Sequence, residues 1–132
     1  MGLIENKQLI RAFYEAGNRG DLEECLRYLA DDVTWTNIGT MRYSGIFRGK
    51  STLVAKLLQP VFGQLKAGIA STIENMIAEG EFIAVQSRGR AETTDGRPYD
   101  NTYCHVFRVV NGKIGEVTEY LDTQLAASVL RA

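Results

Sequence analysis

The sequence predicts an α+β fold in which N-terminal helices pack on one face of a curved antiparallel sheet. Three observations carry this expectation. Apolar residues recur at helical spacing through the first 30 positions. Four strand-like stretches then occupy most of residues 69–121, separated by the turn signals Glu79-Gly80-Glu81, Asp95-Gly96 and Asn111-Gly112. Helices come first and a meander of long strands follows, which is the order of an α+β rather than an α/β chain.

Residues about 4–17 place Leu9, Ile10, Phe13, Ala16 and Gly17 on one side of an amphipathic helix. Asn18-Arg19-Gly20 stops it, and Asp21 is the expected N-cap of a second helix, with Glu24 three residues on. That helix buries Leu22, Cys25, Leu26 and Leu29 and ends before Asp31-Asp32. Val33–Ile38 alternates as a short strand with Val33, Trp35 and Asn37 on one face. Residues 39–49 read as a loop or short excursion. A third helix should run over about 50–65, kinked or split by Pro60, which lacks an N–H. Strands are expected at about 69–79, 82–93, 100–110 and 113–121, then a closing helix over 123–130.

A chain of 132 residues fits one domain, here 1–132, large enough to bury a core without disulfides or metal. Fifteen Lys and Arg against 16 Asp and Glu leave a net charge of −1. That balance gives no footprint for nucleic acid and no attraction to an anionic membrane. No apolar run reaches the ~18 residues of a membrane span, and no signal sequence opens the chain. Cys25 and Cys104 sit in apolar contexts without CxxC spacing and read as reduced core residues of a cytoplasmic protein. A single histidine beside two scattered cysteines does not make a zinc site.

The stretch Tyr99–Asp122 contains that histidine, His105, and the carboxylate Glu119. With a two-residue turn at Asp95-Gly96, Arg88 lies opposite Tyr103 and Gln86 opposite His105. A three-residue loop around Gly112 then puts Tyr103 opposite Glu119 and His105 opposite Val117. One face would carry Gln86, Arg88, Tyr103, His105, Phe107 and Glu119. A two-residue turn at Asn111-Gly112 would instead send Glu119 to the other face.

The order helix, Asn-Arg-Gly-Asp, helix, Ala-Asp-Asp-Val-Thr-Trp, Gly-Lys-Ser helix and the ending GKI-x-E-x-x-EYLDT resembles the SnoaL-like branch of the nuclear-transport-factor-2-like superfamily. The resemblance spans about residues 4–130. It implies a cone-shaped α+β barrel, a bent sheet wrapped by helices around a mostly apolar pocket, often in a homodimer. The ketosteroid isomerase general base would fall at Asn37, its helix tyrosine at Phe13 and its neutral acid at His105. All three residues differ from that enzyme's set. In the epoxide hydrolase pattern Asn37 matches the asparagine, Trp35 lies near the tyrosine and Glu119 near the last aspartate. Its arginine–aspartate pair reads Gln86 and Arg88. The polyketide cyclase pattern, a histidine and a last-strand acid, is matched best by His105 and Glu119.

A carboxylate inside an apolar cone pays several kcal/mol of desolvation unless it is compensated, which suits it to taking a proton. With His105 in reach, Glu119 would form an acid–base pair able to move a proton α to a carbonyl, with no metal and no cofactor. Phe13, Trp35, Asn37, Gln86, Arg88 and Tyr103 would bind the substrate, a small apolar molecule. The same cone could belong to a non-catalytic binding protein, or to a dimerising module presenting Tyr99, Thr102 and Thr118 on its open sheet.

Overall fold

The computed structural model describes residues 2–131. Two helices, α1 (Leu3–Asn18) and α2 (Leu22–Tyr28), lead into β1 (Leu29–Asn37) and β2 (Gly45–Arg48). A helical segment follows, built of α3 (Lys50–Leu53), a π-helical turn (Val54–Leu58) and α4 (Gln59–Phe62). The meander is β3 (Ala70–Glu79), β4 (Phe82–Arg90), β5 (Asn101–Val110) and β6 (Lys113–Leu121), closed by α5 (Thr123–Val129). The six strands form one sheet in the order β2-β1-β6-β5-β4-β3, open at β2 and β3. The fold is therefore α+β, with the helices on the inner side of a curved, unclosed sheet.

The N-terminal helices form where the spacing placed them. On α1 the buried residues Asn6, Ile10 and Tyr14 recur every fourth position, one stripe of a helix facing the sheet. At its end the Asn18 amide grips β3. Its Nδ2 donates to Ser71 O at 2.9 Å and its Oδ1 accepts from Ser71 N at 2.7 Å. Asp21 caps α2 by accepting from Glu24 N at 3.0 Å. The irregularity of the third helix lies just ahead of Pro60. The proline cannot donate the i→i−4 bond, and the preceding turn widens to π geometry.

Two departures from the sequence reading come from long-range pairing. Strand β1 starts at Leu29 because it pairs in parallel with β6, Leu29 beside Ile114 and Asn37 beside Glu119. The expected loop over 39–49 contains β2, which pairs antiparallel with β1, Trp35 beside Phe47. The β2 partner follows β1 directly, across the segment 38–44, whereas β6 lies at the far end of the chain, so local alternation carries no signal for the β6 contact.

The β4–β5 turn is the third departure. Pairs run from Phe82↔Arg108 to Gly89↔Asn101, with a further bridge at Glu92↔Pro98. The turn therefore holds Thr94, Asp95 and Gly96, closed by Thr93 N donating to Arg97 O at 2.8 Å. Gly96 takes φ +86°, the left-handed position of a three-residue hairpin loop. One residue more than a two-residue turn shifts β4 by one position and reverses which of its side chains face inward.

This turn yields a pH prediction. The Thr93 hydroxyl donating to Asp95, with the Arg97 guanidinium beside it, holds the Asp95 carboxyl below its usual range. A carboxyl lowered in the folded state stabilises the turn above its unfolded value of ~3.9 and loses that contribution as pH falls through the folded value. The amide signals of Gly96 and Arg97 should titrate with a midpoint below the ordinary aspartate value. Asp95→Asn should abolish that step; an unshifted midpoint in the wild type would refute the coupling.

Phe107, Ile10, Leu53, Ile83 and Ile114 are fully buried and tie α1, the segment 50–62 and the sheet into one core. The C-terminal end is tied down by Gln64, whose Nε2 donates to Arg131 O at 2.8 Å and whose Oε1 accepts from Arg131 N at 2.7 Å. Both cysteines are free thiols; burial raises the Cys25 pKa.

Candidate active site

Between the helices and the inner sheet face lies a cavity of about 560 Å³. That is within the range of small-molecule sites. Leu26, Leu53, Leu57, Val61 and Leu130 supply apolar wall, and Phe13 reaches it from α1. A row of polar groups comes from the sheet, and Tyr14 of α1 and Tyr43 from the segment between β1 and β2 also line the cavity. Asn37 on β1, Glu119 on β6 and His105 on β5 are paired positions, so they stand in one row across three adjacent strands.

The row depends on an irregularity in β6. The turn at Asn111-Gly112 has two residues, with φ of +51° and +74°, and Val110 pairs with Lys113. By itself this turn would send Glu119 to the outer face. Between Val109↔Ile114 and Arg108↔Glu116 the register shifts, leaving Gly115 as the extra residue of a bulge. The bulge restores the alternation and turns Glu119 inward. The expected facing of Glu119 therefore holds through a different device. Its partner is His105 rather than Tyr103, and Phe107 rather than His105 lies opposite Val117.

His105 Nε2 lies 3.1 Å from Glu119 Oε1, and both side chains are mostly buried. The other ring nitrogen, Nδ1, lies 2.9 Å from the Tyr14 hydroxyl. Tyr103 stacks on the imidazole at 5.5 Å between centroids and 15° between planes. Trp35 meets it edge-on at 5.9 Å, and Phe107 is tilted against it at 5.8 Å. Burial holds the phenols of Tyr14 and Tyr103 far above their ordinary range, so both remain protonated donors. Glu119 Oε2 has no hydrogen-bond partner among the described residues, and Glu119 lines the cavity.

Asn37 lines the cavity too. Its Nδ2 donates to Tyr43 O at 3.0 Å, while its Oδ1 and the Trp35 Nε1 are buried without partners. Two expected site residues lie elsewhere. With β4 shifted by one, Gln86 pairs with Cys104 and Arg88 with Thr102, and both side chains leave on the outer face. Arg88 Nε donates to Glu74 at 2.8 Å there, and Gln86 accepts from Asn75 at 3.3 Å. Val85 and Ser87 take the inward positions instead. Tyr99, expected on the open sheet, is 2% exposed and lines the cavity.

Sequence reasoning missed Tyr14 and Ser87. Tyr14 was legible in the Asn6, Ile10, Tyr14 spacing, which the apolar Phe13 beside it obscured. Ser87 had no signal apart from the correct turn length. Among the described residues no three metal-ligating side chains converge, and no helix is long and apolar enough to cross a membrane.

A curved open sheet wrapped by helices around a cavity is the frame of the SnoaL-like proteins. The chain belongs to that family: the SnoaL-like domain model matches residues 10–117. No curated protein matches the sequence. Among solved structures, an NTF2-like protein of unknown function from Burkholderia pseudomallei is similar at 28% identity and TM-score 0.85, over 100% of both chains. Bal32a, from a soil-derived mobile gene cassette, is similar at 21% identity and TM-score 0.84, over 96% of this chain and 97% of its own. TerC, co-crystallised with polyporic acid, is similar at 20% identity and TM-score 0.82, over 95% of this chain and 97% of its own.

Proposed function

We propose that this SnoaL-like chain is a cofactor-independent acid–base enzyme, an isomerase, cyclase or lyase in type, acting on a small, largely apolar carbonyl compound in the cavity. The observation that carries the reading is the state of Glu119, which lines the cavity: Oε1 is held on His105 at 3.1 Å while Oε2 has no hydrogen-bond partner among the described residues. A carboxylate steadied through one oxygen presents the other as a base. It would take a proton α to the substrate carbonyl and return it elsewhere, or let it follow a leaving group. Asn37, Trp35 and Tyr103 would orient the substrate oxygens, and Phe13 would pack on its apolar body. The co-crystal of TerC with polyporic acid, in a chain of the same fold, supports a small-molecule occupant. The test is hydrogen–deuterium exchange α to the carbonyl of candidate ketones, followed by NMR. Exchange that depends on Glu119 supports the reading; exchange unaffected by its removal refutes it.

Charge narrows the substrate. Apart from His105 and Glu119, the cavity meets one charged side chain, Lys66, whose ammonium is paired with Glu92 at 2.7 Å. Among the described residues no free cation answers a second negative charge, so a carboxylate ligand should bind at least ~10-fold more weakly than its neutral isostere, or about 1.4 kcal/mol. Trp35, the only tryptophan, reports binding by its fluorescence. Equal affinities for the pair would overturn this selectivity.

The runner-up is a non-catalytic binding protein. It is favoured by one fact: both ring nitrogens of His105 are engaged by protein groups, so the imidazole cannot itself work on a ligand. The homodimer implied by the family resemblance belongs to the same proposal. The outer sheet face exposes Ile77 on β3, Phe82 on β4 and Tyr120 on β6. Sedimentation should show a dimer that Ile77→Asp dissociates, and a wild-type monomer at high concentration would remove the dimer.

A further inference from the structure

We propose that Tyr14 is a positioning residue: by donating to Nδ1 it holds His105 in the tautomer whose proton sits on Nε2, so that the ring donates to Glu119. The consequence for catalysis rests on the reading of Glu119 as the base. The tautomer does not.

The argument is one of counting donors. A neutral imidazole has one N–H and one bare nitrogen. An ionised carboxylate only accepts, so the 3.1 Å contact with Glu119 Oε1 requires the proton on Nε2. Nδ1 is then an acceptor, and its 2.9 Å partner, the Tyr14 hydroxyl, must donate. Tyr14 can do so permanently, because its burial at the end of the Asn6, Ile10, Tyr14 stripe keeps the phenol protonated.

Behind Tyr14 stands a group that nothing else explains. Ser87 is 1% exposed, and its Oγ has no hydrogen-bond partner among the described residues. A buried hydroxyl left so is costly. The Ser87 hydroxyl opposes the rise that burial imposes on the Tyr14 phenol, although it makes no hydrogen bond to it in the structure. The two hydrogen bonds then point the same way, Tyr14 to His105 to Glu119, from α1 through β5 to β6. Aligned hydrogen bonds polarise one another. The opposite tautomer would set a bare Nε2 against a carboxylate oxygen, a contact that only a trapped proton could bridge. That proton would occupy the base. By donating to Nδ1, Tyr14 works against this state and leaves Oε2 free to take its proton from the ligand.

The test needs no substrate. His105 is the only histidine, so its ring nitrogens give one pair of ¹⁵N signals in a long-range proton–nitrogen correlation. With the ring neutral, Nδ1 should appear unprotonated and shielded by an accepted hydrogen bond, and Nε2 protonated. In Tyr14→Phe, Nδ1 should move to the position of a free acceptor. Ser87→Ala leaves the aromatic packing intact and should move Nδ1 the same way by a smaller amount, which keeps the test open if Tyr14→Phe does not fold. In Glu119→Gln the proton should stay on Nε2, whereas in the double variant with Tyr14→Phe the two signals should converge. A protonated Nδ1 in the wild type, convergence already in Glu119→Gln, or an Nδ1 signal indifferent to both Tyr14→Phe and Ser87→Ala would overturn the proposal. If the tautomer is as stated but Glu119→Gln keeps full turnover, the base assignment fails and the Tyr14 assignment stands.

Discussion

Glu119→Gln should lower kcat by about 10²–10⁴-fold, the usual contribution of a general base, while the ligand Kd changes by less than about threefold. The substitution is chosen for its geometry. The amide oxygen can still accept from His105 Nε2, so the row of Asn37, Glu119 and His105 keeps its shape and the cavity its volume. What disappears is the capacity to take a proton. A loss confined to kcat means the group acts in the transition state; a loss confined to binding means it only holds the ligand. His105→Gln should cost less, about 10-fold, because both ring nitrogens are engaged by protein groups and His105 acts by steadying one oxygen of Glu119. Steady-state kinetics on a ketone found by the exchange assay, with Trp35 fluorescence for Kd, separates the cases. Unchanged turnover in both variants would mean that the cavity binds without catalysing.

Phe107→Ala should destabilise the protein by about 3–5 kcal/mol, a fifth or more of the ~5–15 kcal/mol of a typical domain. Phe107 is completely buried on β5. It meets Phe13 edge-on at 5.8 Å, Tyr14 at 6.0 Å and His105 at 5.8 Å, so it joins α1 to the sheet directly behind the site. Its removal leaves a void beside the candidate cavity and withdraws aromatic contacts worth about 0.5–1.5 kcal/mol each. Urea denaturation measures the loss. Arg88→Ala is the control, because its bond to Glu74 is an exposed surface pair worth at most about 1 kcal/mol. A loss below about 2 kcal/mol in Phe107→Ala would mean that the inner face repacks and that the aromatic cluster does not hold α1 in place.

Arg88 and Glu119 show why one part of the site was legible and another was not. Both were assigned to the inner face by counting residues back from a turn. For Glu119 the count erred twice, once in the turn at Asn111-Gly112 and once in passing over the bulge at Gly115. Two shifts preserve the parity, and the carboxylate faces inward. For Arg88 a single error in the turn at Thr94-Asp95-Gly96 reversed every side chain of β4. Strand register is an all-or-none quantity with period two, so a one-residue mistake gives the opposite face rather than a slightly displaced residue.

The sequence by itself determined the α+β order, both N-terminal helices, the four long strands and the inward faces of β1 and β5. Each of these rests on local spacing: a helix or strand that buries one side must repeat its apolar residues at its own period. It put His105 and Glu119 on facing strands of one hairpin but left open whether Glu119 turns inward, because that hung on the turn at Asn111-Gly112. Tertiary structure alone decided the rest. The parallel pairing that brings Asn37 beside Glu119, the placing of Tyr14 on His105 across 91 residues and the hidden Ser87 hydroxyl all join segments far apart in the chain. Such contacts are set by how the helices settle on a twisted sheet and by whether a turn holds two residues or three. No spacing within a single segment records either choice.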